Sequence, residues 1–206
     1  MIDHLLQSLM ATSYWEIAAM LLSITYLLLA MRQNSLCWFA AFASTSIYLV
    51  IFWEVNLLMD SILQFYYLIM AVYGLYIWQF SQKEKTMLRI QSWSFKKHSI
   101  FIISLACISL ILGFMMDNYT QADFPYIDSA TTCFSVFTTY LVAQKVLENW
   151  LYWIVIDSVS VYIYFEKSLI LTAFLFVLYT VLVIFGYFQW KSEHNRATPL
   201  TQPAYS

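Results

Sequence analysis

Long apolar runs separated by short polar breaks make up nearly the whole chain. Seven of them reach the roughly 17–25 residues that a helix needs to cross a hydrocarbon core: about 14–31, 35–53, 57–80, 99–116, 128–146, 149–165 and 169–190. The pattern predicts an all-α integral membrane protein of seven transmembrane helices, with residues 1–206 forming a single membrane domain. With three glycines and three prolines, the helices are expected to be mostly regular, and Pro125 to lie in the loop before the fifth. Asp3, His4 and Glu16 stand around the start of the first run without any Lys or Arg, so it reads as a permanent span rather than a cleaved signal peptide. Residues 191–206 read as a cytoplasmic tail, disordered from Glu193 onward.

Composition narrows the class further. The chain is 62% hydrophobic and 11% charged, whereas a water-soluble domain carries about 25% charged residues. Such a surface cannot be covered by polar groups in water, and a bilayer removes the need. A net charge of -2 with no clustered basic face excludes a nucleic-acid partner. Cys37, Cys107 and Cys133 stand singly in apolar runs without metal-ligand spacing and read as packing residues. No metal or cofactor is expected.

The basic residues set the orientation, because Lys and Arg near the spans are retained in the cytoplasm. With the N-terminus outside, the inner segments collect Arg32, then Lys83, Lys85, Arg89, Lys96 and Lys97, then Lys145, then Lys191 and Arg196. Lys167 alone falls outside, among Glu54, Asp60, Asp117, Asp123, Asp128 and Glu166. Seven spans then leave the C-terminus in the cytoplasm.

Residues 34–78 and 149–190 share a faint internal duplication. Asn34 and Trp38 match Asn149 and Trp153, Glu54 matches Glu166, and Tyr67, Gly74 and Trp78 match Tyr179, Gly186 and Trp190. An intervening helix keeps the copies parallel. The expected organisation is a first three-helix repeat over 14–80, a linker helix over 99–116 and a second repeat over 128–190, a transporter architecture.

Candidate chemistry concentrates in the sixth span, where Asn149-Trp150-Leu151-Tyr152-Trp153 is followed by Asp157. At about 100° per residue, positions 150, 153 and 157 fall within roughly 60° of one helix face. An ionised Asp in hydrocarbon costs at least about 2.5–3.5 kcal/mol, so Asp157 must face a bundle interior or a wet cavity and should have a partner. Indole faces attract an organic cation by about 0.5–2 kcal/mol each, and a carboxylate adds Coulomb attraction, so this face suits a flat, positively charged ring. The alternative is that the tryptophans belong to the interfacial aromatic belt and Asp157 bonds a neighbouring helix.

The third span carries Gln64, Tyr66, Tyr67, Tyr73, Gly74, Tyr76 and Trp78. Gln64 can donate and accept at membrane depth, and Tyr67 shares a face with Gly74, which admits a close helix neighbour. Tyr73, Tyr76 and Trp78 fit the inner aromatic belt. In the fifth span, Ser129, Thr131, Thr132, Ser135, Thr138 and Thr139 suit either a polar lining or ordinary interhelical bonds. Candidate substrate-binding residues are therefore Gln64, Tyr67, Trp150, Trp153, Asp157 and Tyr179.

Three segments resemble the PnuC family of bacterial vitamin transporters: Gln64-x-Tyr66-Tyr67 with Tyr73-Gly74-x-Tyr76-x-Trp78, Asp123-Phe124-Pro125 with Asp128-Ser129, and Glu148-Asn149-Trp150-Leu151-x-Trp153. The resemblance implies a SWEET-like 3+1+3 fold in the bacterial inner membrane. It also implies facilitated diffusion of an unphosphorylated vitamin, drawn inward by a cytoplasmic vitamin kinase, with homo-oligomers as a further expectation. Gln64, Trp150 and Trp153 match the family's substrate-contacting pattern. At 157 the nicotinamide riboside branch usually shows Asn in a WxxWxxxN pattern, and this chain has Asp. An acceptor-only carboxylate suits thiamine, with its thiazolium and aminopyrimidine donor. Thiamine, as in the PnuT branch, is the expected substrate, with nicotinamide riboside as the alternative.

Other classes lack their signatures. His4, His98 and His194 lie near loops or tails and form no catalytic set, so an enzyme is not expected. No phosphate-binding glycine loop with Lys is present for an ATP-driven pump. Proton coupling through Asp157 and a non-transporting membrane scaffold remain as alternatives.

Overall fold

A computed structural model describes residues 14–54, 58–83, 88–120, 123–167 and 170–197. Seven helices occupy the described residues: α1 Tyr14–Met31, α2 Cys37–Glu54, α3 Leu58–Lys83, α4 Phe95–Tyr119, α5 Pro125–Ala143, α6 Asn149–Glu166 and α7 Ile170–Ala197. Asp3, His4, Lys85 and residues 198–206 lie outside them, as do the side chains of Asp60 and Lys83.

Five helices, α1, α2, α3, α4 and α7, are long and apolar enough to cross a membrane. The other two are diluted by polar positions that the bundle takes inside, Ser129, Ser135, Thr138 and Thr139 on α5 and Asn149, Asp157 and Ser160 on α6. Large apolar side chains such as Phe42, Val50, Ile62, Phe65 and Ile69 cover the outer surface, an arrangement that lipid rather than water accommodates.

Two expectations about boundaries change. Pro125 is the first residue of α5 rather than part of the preceding loop, where its missing N–H costs no helical bond and its fixed φ suits the first turn. The final helix runs through Ala197, so Glu193 to Ala197 are not disordered tail. That last turn is held from outside, by Gln33 Nε2 on the Glu193 carboxylate and by His194 Nδ1 at 2.9 Å from the Ile90 carbonyl.

Helix contacts close a ring in the order α1, α2, α3, α5, α6, α7 and back to α1, while α4 packs against α5. A shift of 112 residues carries α1, α2 and α3 onto α5, α6 and α7. Cys37 goes to Asn149 and Glu54 to Glu166, the two ends of α2 and of α6. The shift also repeats the turn between the first two helices of each set. Gln33 and Lys145 are the non-glycine residues with positive φ, 53° and 51°, among the described residues. Around them, Gln33 N bonds Ala30 O and Asn34 N bonds Leu29 O, as Lys145 N bonds Val142 O and Val146 N bonds Leu141 O. This is the Schellman ending of a helix, in which the left-handed position normally favours glycine. A long side chain there costs about 1–2 kcal/mol.

The first anchor set of the duplication is corrected in both members: Asn149 answers to Cys37 rather than to Asn34, and packing moves the tryptophan match. Trp38 of α2 seats its indole on Gly74 and meets Trp78 edge-on at 5.4 Å and 84°. Trp150 of α6 seats its indole on Gly186 and meets Trp190 edge-on at 5.3 Å and 86°. The counterpart of Trp38 is therefore Trp150, not Trp153. Trp78 and Trp190 approach each other at 6.4 Å and link the two pairs into one tryptophan cluster at the centre of the core.

Besides its packing on α5, where Phe101 stacks on Phe137 and Gly113 admits Tyr126, helix α4 is docked by a polar clasp. Glu148 accepts from Ser92 Oγ and from Trp93 N at 3.2 Å, and lies 3.5 Å from His98 Nε2. His98 Nδ1 is 3.0 Å from the Tyr152 hydroxyl. Gln91 adds a short bridge to Val146 beside them.

Candidate functional site

Asp157 sits two turns inside α6 and is 4% exposed. Among the described residues, no cation and no hydrogen-bond donor pairs with its carboxylate. Nothing in the helix demands an acid there, since an uncompensated buried charge is destabilising. What surrounds it is phenolic. Tyr67 of α3 and Tyr179 of α7 both lie within electrostatic reach of this carboxylate.

These two tyrosines are counterparts under the 112-residue shift, and so are their partners. Tyr67 lies against Ser135 of α5, and Tyr179 against Ser23 of α1. Ser23 Oγ is 2.7 Å from Ser44 Oγ, and Ser44 also donates to Ala19 O at 2.8 Å. Tyr66, next to Tyr67, donates to Val136 O at 2.8 Å and fixes α3 on α5. Each half thus supplies one tyrosine to a serine of the other, which frames an interior between the halves.

Gln64 stands one turn from Tyr67 on α3, half-buried, and its amide bonds none of the described residues. Trp153 stands one turn from Asp157 on α6, half-buried and packed against the core. Gln64, Trp153 and Asp157 have no chemical likeness at their shifted positions, which hold Phe176, Ala41 and Thr45. The Thr45 hydroxyl is spent on the Ala41 carbonyl at 2.8 Å. The polar, aromatic and acidic functions are therefore one-sided, inside a two-sided frame.

Trp150 is placed differently from its neighbours in sequence. It is 1% exposed, in the first turn of α6, inside the tryptophan cluster. Its indole N–H, like that of its counterpart Trp38, has no hydrogen-bond partner among the described residues. The threonines Thr131, Thr138 and Thr139 of α5 bond carbonyls of their own helix, so these hydroxyls make neither a polar lining nor an interhelical bond. Ser23, Ser44 and Trp38 were not singled out as site residues from sequence. Ser23 and Ser135 stand at the repeat distance, which is the signal that could have found them.

The end of the ring that carries the Gln33 and Lys145 turns holds a cavity of about 330 Å³, lined by Gln33, Trp78, Arg89, Lys145, Glu193 and His194 among others. Lys145 Nζ donates to Gln33 Oε1 at 3.1 Å and stands 4.6 Å over the Trp78 ring. Burial pushes the Lys145 ammonium below the usual lysine range, with Cys37 and Glu193 opposing the shift. Among the described residues, no group of three His, Cys, Asp or Glu is placed to hold a metal.

Comparison with known proteins follows the same lines. The profile of the family described as "Nicotinamide mononucleotide transporter" matches residues 13–192. The nicotinamide riboside transporter PnuC of Escherichia coli is 23% identical, over 74% of either chain. The riboflavin/roseoflavin transporter RibM of Streptomyces davaonensis is 24% identical, over 61% of either chain. The crystal structure of the vitamin B3 transporter PnuC shares the fold, with a TM-score of 0.73 at 14% identity, covering 96% of this chain and 88% of that one.

Proposed function

The chain belongs to the nicotinamide mononucleotide transporter family, and on that premise we propose that it passes nicotinamide riboside across a bacterial inner membrane by facilitated diffusion. One observation carries the substrate class: a buried carboxylate, Asp157, with no protein partner among the described residues, within electrostatic reach of two tyrosines. A ligand with a fixed positive charge supplies the missing partner. The pyridinium of nicotinamide riboside does so, its carboxamide is complementary to the amide of Gln64, and the Trp153 face can stack on the ring. Tyr67 and Tyr179 close the two sides, and Trp150 supports α6 from behind against Gly186.

The thiamine expectation drawn from Asp at 157 finds no support among the relatives, whose names refer to nicotinamide riboside and riboflavin. The carboxylate accepts ribose hydroxyls as readily as it balances a thiazolium, so it does not by itself select thiamine. Riboflavin lacks the fixed charge that Asp157 calls for.

In this reading all seven helices span the bilayer as two parallel three-helix bundles joined by α4, in the SWEET-like manner. The ring of contacts and the recurrence of helix ends at one shift support it. The N-terminus lies outside and the C-terminus inside, supported by Arg89 and Lys145 lining one cavity. Inward flux is drawn by a cytoplasmic kinase that phosphorylates the vitamin.

The test is uptake of radiolabelled nicotinamide riboside into liposomes holding the purified protein, without any ion gradient, competed in turn by thiamine and riboflavin. Equilibration that unlabelled riboside competes and thiamine does not is the expected result. Thiamine flux with no riboside flux would return the protein to the thiamine branch, and flux of neither would sink the transport reading.

A further inference from the structure

The two halves are fastened to each other at the end that carries the Gln33 and Lys145 turns, and the fastenings are reciprocal. Trp78 of α3 donates its indole N–H to Ala143 O, the last residue of α5, at 3.0 Å. Trp190 of α7 donates its indole N–H to Met31 O, the last residue of α1, at 3.1 Å, and to Ala30 O at 3.2 Å. Trp78 and Trp190 are counterparts under the 112-residue shift, and so are Met31 and Ala143. Each half therefore caps an orphan carbonyl at a helix end of the other, a group that otherwise needs water or a further partner.

Over the Trp78 ring, Lys145 Nζ meets the side chain of Gln33 at 3.1 Å. Both occupy a left-handed position that glycine fills without strain. Their side chains serve no purpose within their own turns, whose backbone bonds are complete without them. They touch each other instead, across the seam. Gln33 continues the contact to Glu193 on α7.

We propose that this seam is the inner gate of the transporter, closed in this structure, with Trp78 and Trp190 as paired latches and the Lys145–Gln33 contact as a clasp. The proposal rests on the transport reading above. Opening separates the halves, so both indoles leave their carbonyls in one event. Helices α3 and α7 then swing with their own glycine-seated partners, since Trp38 stays on Gly74 and Trp150 on Gly186 within each half.

Cys37 reports on the seam. It is 0% exposed, begins α2 just past the first turn, and lies within electrostatic reach of Lys145. In a Cys107→Ser, Cys133→Ser background, its labelling by a water-soluble maleimide is followed on purified protein in detergent. Trp78→Phe and Trp190→Phe each keep a ring and lose the donor. Each is expected to raise the labelling rate about five- to tenfold, the factor corresponding to one net hydrogen bond, and the double variant to multiply the two. Gln33→Gly with Lys145→Gly, which suits the turn backbone, is expected to raise it as well. Unchanged labelling in both double variants overturns the gate, as does an effect confined to one of the two tryptophans. Faster labelling in a protein that moves no vitamin would keep the moving seam and remove the substrate assignment instead.

Discussion

Gly186 is the seat of Trp150: a methyl group there would lie 2.7 Å from the indole, with ring atoms at 2.8 Å on either side of that contact. The same relation holds between Gly74 and Trp38. These glycines are needed for close approach rather than for backbone freedom, since both lie inside helices.

Gly74→Ala and Gly186→Ala are accordingly expected to destabilise the protein by about 1–3 kcal/mol each, the usual cost of overpacking a filled core. Thermal unfolding in detergent, followed by tryptophan fluorescence, checks this. Equal melting temperatures for wild type and both variants would contradict the seating.

Asp157→Asn should move binding and stability in opposite directions. Removing an uncompensated buried charge relieves a cost, so the melting temperature of the unliganded protein should rise or hold. The affinity for a cationic vitamin should fall about tenfold, the equivalent of about 1.4 kcal/mol of lost charge attraction. Isothermal titration and thermal melts on one preparation give both readings, and a fall in both would mean that Asp157 has a structural partner instead.

Trp153→Phe keeps a ring face and should weaken binding only a few-fold. Trp153→Ala removes a contact worth about 0.5–2 kcal/mol and should raise the uptake KM by up to about thirtyfold. Trp150→Phe, by contrast, should lower stability and leave KM close to wild type. A KM effect at Trp150 equal to that at Trp153 would put both indoles against the vitamin.

Glu148→Ala leaves the Ser92 hydroxyl and Trp93 N–H without their acceptor and removes the carboxylate 3.5 Å from His98 Nε2. Loss of a partly buried acceptor of this kind costs about 1–3 kcal/mol. The melting temperature should drop while the KM for riboside stays unchanged, because the clasp docks α4 at the start of α6, more than two turns before Asp157.

Much of this was legible in the chain itself. The apolar runs located all seven helices, because helix length against bilayer thickness is a coarse constraint that few sequences meet by accident. Tyr67, Gly74 and Trp78 were matched to their true counterparts because their spacing is kept without gaps. Trp38 was matched to Trp153 because Asn34 lies four positions before one and Asn149 four before the other. Only the depth of the indole on Gly186 selects Trp150. The latches were illegible for another reason: Trp78 and Trp190 donate to backbone carbonyls, and a carbonyl leaves no trace in residue type. Asp157 lies inside the bundle, as its cost in hydrocarbon predicts, but without the expected partner among the described residues; its chemistry alone points to thiamine, and a charge cannot tell one cationic ring from another.

The lopsided trio of Gln64, Trp153 and Asp157 within a mirrored scaffold has an evolutionary consequence. A doubled gene starts with two identical linings, so any asymmetric cargo must be accommodated by drift that differs between the copies. Here that drift occupies one position in the first copy, Gln64, and two in the second, Trp153 and Asp157, none of which is a tryptophan seat or a helix end. A descendant could exchange its nutrient by altering those three codons and inherit its folding and its mechanics unchanged.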